Sequence, residues 1–121
     1  MAAPNVVGVT SIYGRTKGVA LTTTTTVGIL TCAANQLLKV NSIIVANVDG
    51  TSSADATVSF YDSSVSNSFK LAHTVTVPAD STLILMGKDA PIYLEESDEI
   101  RGGSSSNSTL NLIISYEEIF S

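Results

Sequence analysis

The chain has 121 residues, a net charge of −5 and a single cysteine, a size that fits one domain and a cysteine count that rules out an internal disulfide or a cysteine-held zinc. An acidic chain whose six basic residues are scattered from Arg15 to Arg101 has no footprint for gripping phosphates, so no nucleic-acid partner is expected. No apolar run approaches the roughly 18–20 residues of a membrane span, and residues 1–12 lack a basic stretch followed by an apolar one, so neither a membrane anchor nor a secretory leader is expected.

Residues 1–16 stand apart at the start of the chain. Val6, Val7, Val9, Ile12 and Tyr13 alternate loosely with Gly8 and Gly14, too apolar a mix for a solvated tail. The segment reads either as an arm docking on this or a neighbouring subunit, or as an ordinary first strand. Residues 17–121 read as the β-domain. Lys17–Thr24 carries Val19 and Leu21 on one face, and the run Thr22–Thr26 favours extended backbone because β-branched threonine suits a pleated surface. Val27–Cys32 continues as a second strand.

The longest candidate strand is Leu37–Asp49. Its even positions are largely apolar, and Ile43 and Val45 add apolar residues to the other face at its middle, the mark of a central strand covered on both sides there. Asp49-Gly50 opens a turn. Ala56, Val58 and Phe60 then alternate with Thr57, Ser59 and Tyr61. Phe69, Leu71, His73, Val75 and Val77 share one predicted face. Thr82–Met86, Ile92–Leu94, Glu99–Arg101 and Thr109–Ile119 complete the set, with Gly102–Ser108 predicted as a flexible loop. Roughly eight strands with turn signals about every 8–12 residues predict an all-β antiparallel sandwich, jelly-roll-like in architecture.

Chemistry is thinly represented. His73 is the only histidine and sits in an apolar strand pattern, where a packed role is expected. Cys32 lies in no motif that positions a nucleophile. The acidic turn Glu95, Glu96, Asp98 and Glu99 and the loop acids Asp49, Asp55 and Asp62 match no loop with defined ligand spacing, so no metal or cofactor is expected. Without tryptophan or a Gly-rich phosphate loop, the chain reads as non-enzymatic. Its surface is unusual instead. Only 14% of residues are charged, against about 25% for ordinary soluble domains. Hydrophobic residues make up 44% and the mean hydropathy is +0.31, with Ser and Thr supplying most of the polarity. Such a surface is readily explained if neighbours cover much of it.

Several phrases carry a resemblance. Ile44–Thr51 (IVANVDGT), Ala54–Asp62 (ADATVSFYD), Val77–Leu83 (VPADSTL), Gly87–Glu96 (GKDAPIYLEE) and Ser115–Ile119 (SYEEI) resemble small β-sandwich structural proteins of tailed bacteriophages, especially those infecting cyanobacteria. The resemblance spans Leu37–Ile119 and involves turns and sheet edges rather than catalytic or ligand residues. It implies a virion component synthesised in the host cytoplasm. The implied role is a capsid decoration (cement) protein bound to the major capsid protein or another virion protein, as a homo-oligomer for which a trimer is a natural form. Alternatives are a neck, tail or baseplate component, or a glycan-binding fibre module using Tyr61 and Tyr93. The expected partner contacts are Val6, Val7, Val9, Ile12 and Tyr13 near one end, with Ile119 and Phe120 near the other.

Overall fold

A computed structural model of the protein describes residues 11–87 and 89–120. Within them the chain forms nine strands and no helix: β1 (Ser11–Ala20), β2 (Thr26–Thr31), β3 (Gln36–Asn47), β4 (Ala54–Asp62), β5 (Asn67–Val77), β6 (Thr82–Met86), β7 (Ile92–Leu94), β8 (Glu99–Ser104) and β9 (Leu110–Phe120). One sheet has the order β1-β9-β3-β6, with β7 pairing the other half of β3, and the second has the order β2-β8-β4-β5. Every ladder is antiparallel. With short β7 set aside, the pairs β4–β5, β3–β6, β2–β8 and β1–β9 nest inside one another. This is a long hairpin rolled into two layers, the jelly-roll arrangement of an all-β sandwich.

The core forms where the alternating apolar faces of the two sheets meet. Val40, Ile43 and Val45 of β3 and Leu110, Leu112 and Ile114 of β9 pack against Ala56 and Val58 of β4 and Ile100 of β8, all fully buried. Each such Val, Leu or Ile contributes about 1.5–3 kcal/mol relative to exposure. Two buried polar groups tie the loops to this core. Asn47 donates its amide hydrogens to the carbonyls of Ser52 and Val77 and accepts from the Asp49 N–H. The carboxylate of Asp98 accepts from the N–H and hydroxyl of Ser63 and from the Glu95 N–H.

Four expectations are corrected, the first two by bulges that break strict alternation. In β3 the ladder to β9 shifts between Val40 and Ser42, so the core face passes from Leu38 and Val40 to Ile43 and Val45. The two apolar faces at the middle of that strand are therefore partly one face that changes parity. In β5 the ladder to β4 shifts twice, and Thr74 adopts a positive φ of 48°. As a result Ala72 and Val77 are buried, whereas Phe69, His73 and Val75 are exposed, and His73 is not a packed residue. Thr22–Thr25 is a bend that carries the chain from one sheet to the other rather than extended strand. Gly102 and Gly103 are buried in β8 rather than looping out, because a Cβ on Gly102 would meet Ile29 at 3.1 Å and one on Gly103 would meet the Thr25 backbone at 3.4 Å.

Candidate functional site

The two outward faces of the sandwich differ in chemistry. On the four-stranded sheet the outer positions are polar: Asp55, Thr57, Ser59 and Tyr61 of β4 stand beside Gly103, Arg101 and Glu99 of β8. Arg101 bonds Glu99 at 3.0 Å and lies 3.8 Å above the Tyr61 ring. That guanidinium occupies one face of the Tyr61 ring and leaves it unavailable for stacking. Tyr93 is half exposed.

On the five-stranded sheet the strand register lines up rows of outward side chains. One row runs Ile12, Ile119, Leu37 across β1, β9 and β3. A second runs Gly18, Ile113, Ile44, Ile84 across β1, β9, β3 and β6. Between them lie Gly14, Glu117, Lys39 and Tyr93, and then Thr16, Ser115 and Ser42. The only charges among these positions are Lys39 and Glu117, which stand directly opposite each other, and Glu117 also accepts from the Asn41 amide at 2.9 Å. Ile84 is 70% exposed and Ile12 54%, while Ile113 and Ile44 are half-buried. Leu37 and Ile119 are themselves buried, so the apolar surface this face offers is Ile12 and the row Ile113, Ile44 and Ile84. With few charges around it, such a surface is suited to contact with another protein.

An open groove of about 450 Å³ runs beside β1, lined by Ile12, Gly14, Arg15, Thr16, Asn41, Ser115, Tyr116 and Glu117. A smaller hollow of about 210 Å³ is lined by threonines and serines with Asp55. No His or Cys lines either one. Cys32 directly follows β2 and His73 lies in β5, the two opposite edges of the four-stranded sheet. The Cys32 thiol is buried, donates to the Gln36 carbonyl at 3.2 Å, and is pushed up to about 11 by desolvation. Among the described residues no three His, Cys, Asp or Glu side chains are grouped to hold a metal ion, and Asp98 serves instead as the acceptor for its own turn.

Of the residues picked from the sequence, four come together. Ile12 pairs directly with Ile119, and the Tyr13 and Phe120 rings meet edge to face with centroids 5.7 Å apart. Val6, Val7 and Val9 lie outside the described residues. Sequence reasoning missed the row Ile113, Ile44, Ile84. Its one visible signal was the doubly apolar middle of β3, since which strands flank β3 is decided only by topology.

A scan against protein-family models finds none that matches the chain, and a search of curated proteins finds no match.

Proposed function

We propose that this protein is a structural component of a bacteriophage particle, a capsid decoration protein that binds the major capsid shell and stabilises it by bridging neighbouring subunits. The single observation that supports docking is the outward face of the five-stranded sheet, where Ile113, Ile44 and Ile84 form a continuous apolar row flanked by the uncharged Ser115 and Ser42. Burying such a face contributes at about 25 cal/mol per Å² of apolar surface. The virion assignment draws on the phrase resemblance over Leu37–Ile119. Jelly rolls occur in viral capsid and lectin domains alike, so the fold favours neither. The Arg101 cap on Tyr61 weighs against a sugar-stacking role. On this reading the protein works without catalysis, as a symmetric homo-oligomer on the shell.

Quantitative gel densitometry of purified particles tests the proposal. A copy number comparable to that of the major capsid protein is expected. A copy number that is a small fraction of it assigns the chain to the neck, tail or baseplate, and absence from particles overturns the reading.

A further inference from the structure

The sandwich has five outer strands, and four of them are poor templates for an added strand. The ladder of β2 shifts near Gly28, that of β5 breaks twice, β6 has only five residues with a shift of its own, and β7 has only three. β1 is different. All ten of its residues pair with β9 in one unbroken register, and among the described residues its other edge is unpaired. Leu21 donates its N–H to the Leu110 carbonyl at 2.9 Å, continuing that ladder. Backbone groups alternate sides along a strand, so the N–H and C=O groups of Ile12, Gly14, Thr16, Gly18 and Ala20 face the open edge. Gly14 and Gly18 carry no side chain to obstruct an approach.

The charge of this edge is equally specific. In a chain of net charge −5, β1 holds two basic residues, Arg15 and Lys17, and no acid. They stand two apart on one side of the strand, in register with Tyr116 and Ile114. The inner side of β1 overhangs the second sheet, so both are exposed, and of the β1 residues only Val19 packs against the core. Arg15 gives its Nε to Glu118, one of a guanidinium's five donors. Lys17 makes no ion pair among the described residues. A second copy of β1 is the wrong partner. Two-fold antiparallel pairing that keeps the core sides of both sheets together sets Arg15 opposite Arg15, or Arg15 opposite Lys17, in the two registers that overlap most. Like charges placed directly opposite one another are destabilising. Glu117 lies one strand further in, two strand spacings or about 9.5 Å from an added strand. The Glu118 carboxylate is already engaged by the Arg15 Nε, which leaves Lys17 as the unpaired cation of this edge among the described residues.

We propose that the open edge of β1 accepts an extended segment of a partner protein as an additional strand, with acidic residues two apart facing Arg15 and Lys17. The main-chain ladder supplies affinity and the two cations select the segment. This inference rests on the reading of the protein as an assembly component, and it names the chemistry of one partner segment.

The test uses the full chain and an end-capped peptide of about eight residues alternating valine and glutamate, long enough to span most of β1. Binding followed by fluorescence anisotropy is expected, weakening at least tenfold as salt rises from about 0.05 to 0.5 M. Hydrogen exchange read by NMR should slow at the Gly14, Thr16 and Gly18 amides, while the odd-numbered amides, already paired with β9, change little. Lys17→Glu should abolish binding of the glutamate peptide and confer binding of the matching valine–lysine peptide. Thr16→Pro should block both, because it removes an open-edge N–H and leaves the β9 ladder intact. No binding by the unaltered chain, equal binding of the lysine peptide, or unchanged exchange at those three amides overturns the inference. The assay needs no particle, so its failure beside normal incorporation into particles would leave the proposed function standing.

Discussion

Ile44 of β3 stands directly opposite Ile84 of β6 on the face of the five-stranded sheet turned away from the core, and Ile84 is 70% exposed. The pair extends an apolar row that Ile113 continues across β9. A side chain that exposed contributes little to folding, so Ile84→Asp should change stability by no more than about 1 kcal/mol in urea titration. Incorporation into particles should fall sharply, because a carboxylate would be buried unpaired in the interface. Wild-type occupancy of the variant would remove this face from the proposed contact.

Asn47 is the link between the end of β3, the Asp49–Ala54 loop and the end of β5. Asn47→Ala leaves the Ser52 and Val77 carbonyls and the Asp49 N–H without their partner. The expected loss is about 2–3 kcal/mol by denaturant titration, since buried polar groups left unpaired are costly.

Gly28 holds a φ of +65° in β2, and a Cβ there would come within 3.1 Å of the Thr31 hydroxyl. Gly28→Ala should cost about 1–2 kcal/mol through left-handed strain. Gly14→Ala in β1 is the control. Nothing lies within 4 Å of its built Cβ, so its effect should stay within about 0.5 kcal/mol.

Cys32 makes stability depend on alkaline pH. Burial raises its thiol from 9.0 to about 11, so the folded state holds the proton more tightly than the unfolded chain does. Stability is full below pH 9 and declines between pH 9 and 11, as the unfolded thiol ionises first. The loss amounts to about 2–3 kcal/mol. Tyr116, also raised by burial and by the charge of Glu118, adds to the decline at higher pH. Cys32→Ala should keep only the tyrosine part of that slope. The native thiol should resist Ellman's reagent at neutral pH and react on denaturation.

The period-two pattern marked where strands lie because alternation is a local property of the backbone. It placed Val58, Leu110, Leu112 and Ile114 correctly on the core face. It failed where one strand carries an extra residue. His73 was read as packed because Phe69, Val75 and Val77 share its parity, yet the two shifts in the β4–β5 ladder and the left-handed Thr74 turn it outward. A bulge is set by how two distant segments meet, and nothing in β5 alone announces it. Gly102 and Gly103 misled in the opposite direction. Glycine pairs suggest loops, but here the close approach of Ile29 and Thr25 requires them inside β8.

Composition and alternation alone therefore determined an all-β chain with few charges, a single thiol and no strong catalytic pattern. Only the tertiary structure decided that β1 and β9 lie side by side, joining Ile12 to Ile119 and Tyr13 to Phe120 from opposite ends of the chain. It also decided which face carries the Ile113, Ile44 and Ile84 row and which strand keeps an unbroken open edge. The reason is that outward rows and edges are properties of strand order. In a rolled hairpin that order follows from which pairs nest inside which, not from the residues of any one strand.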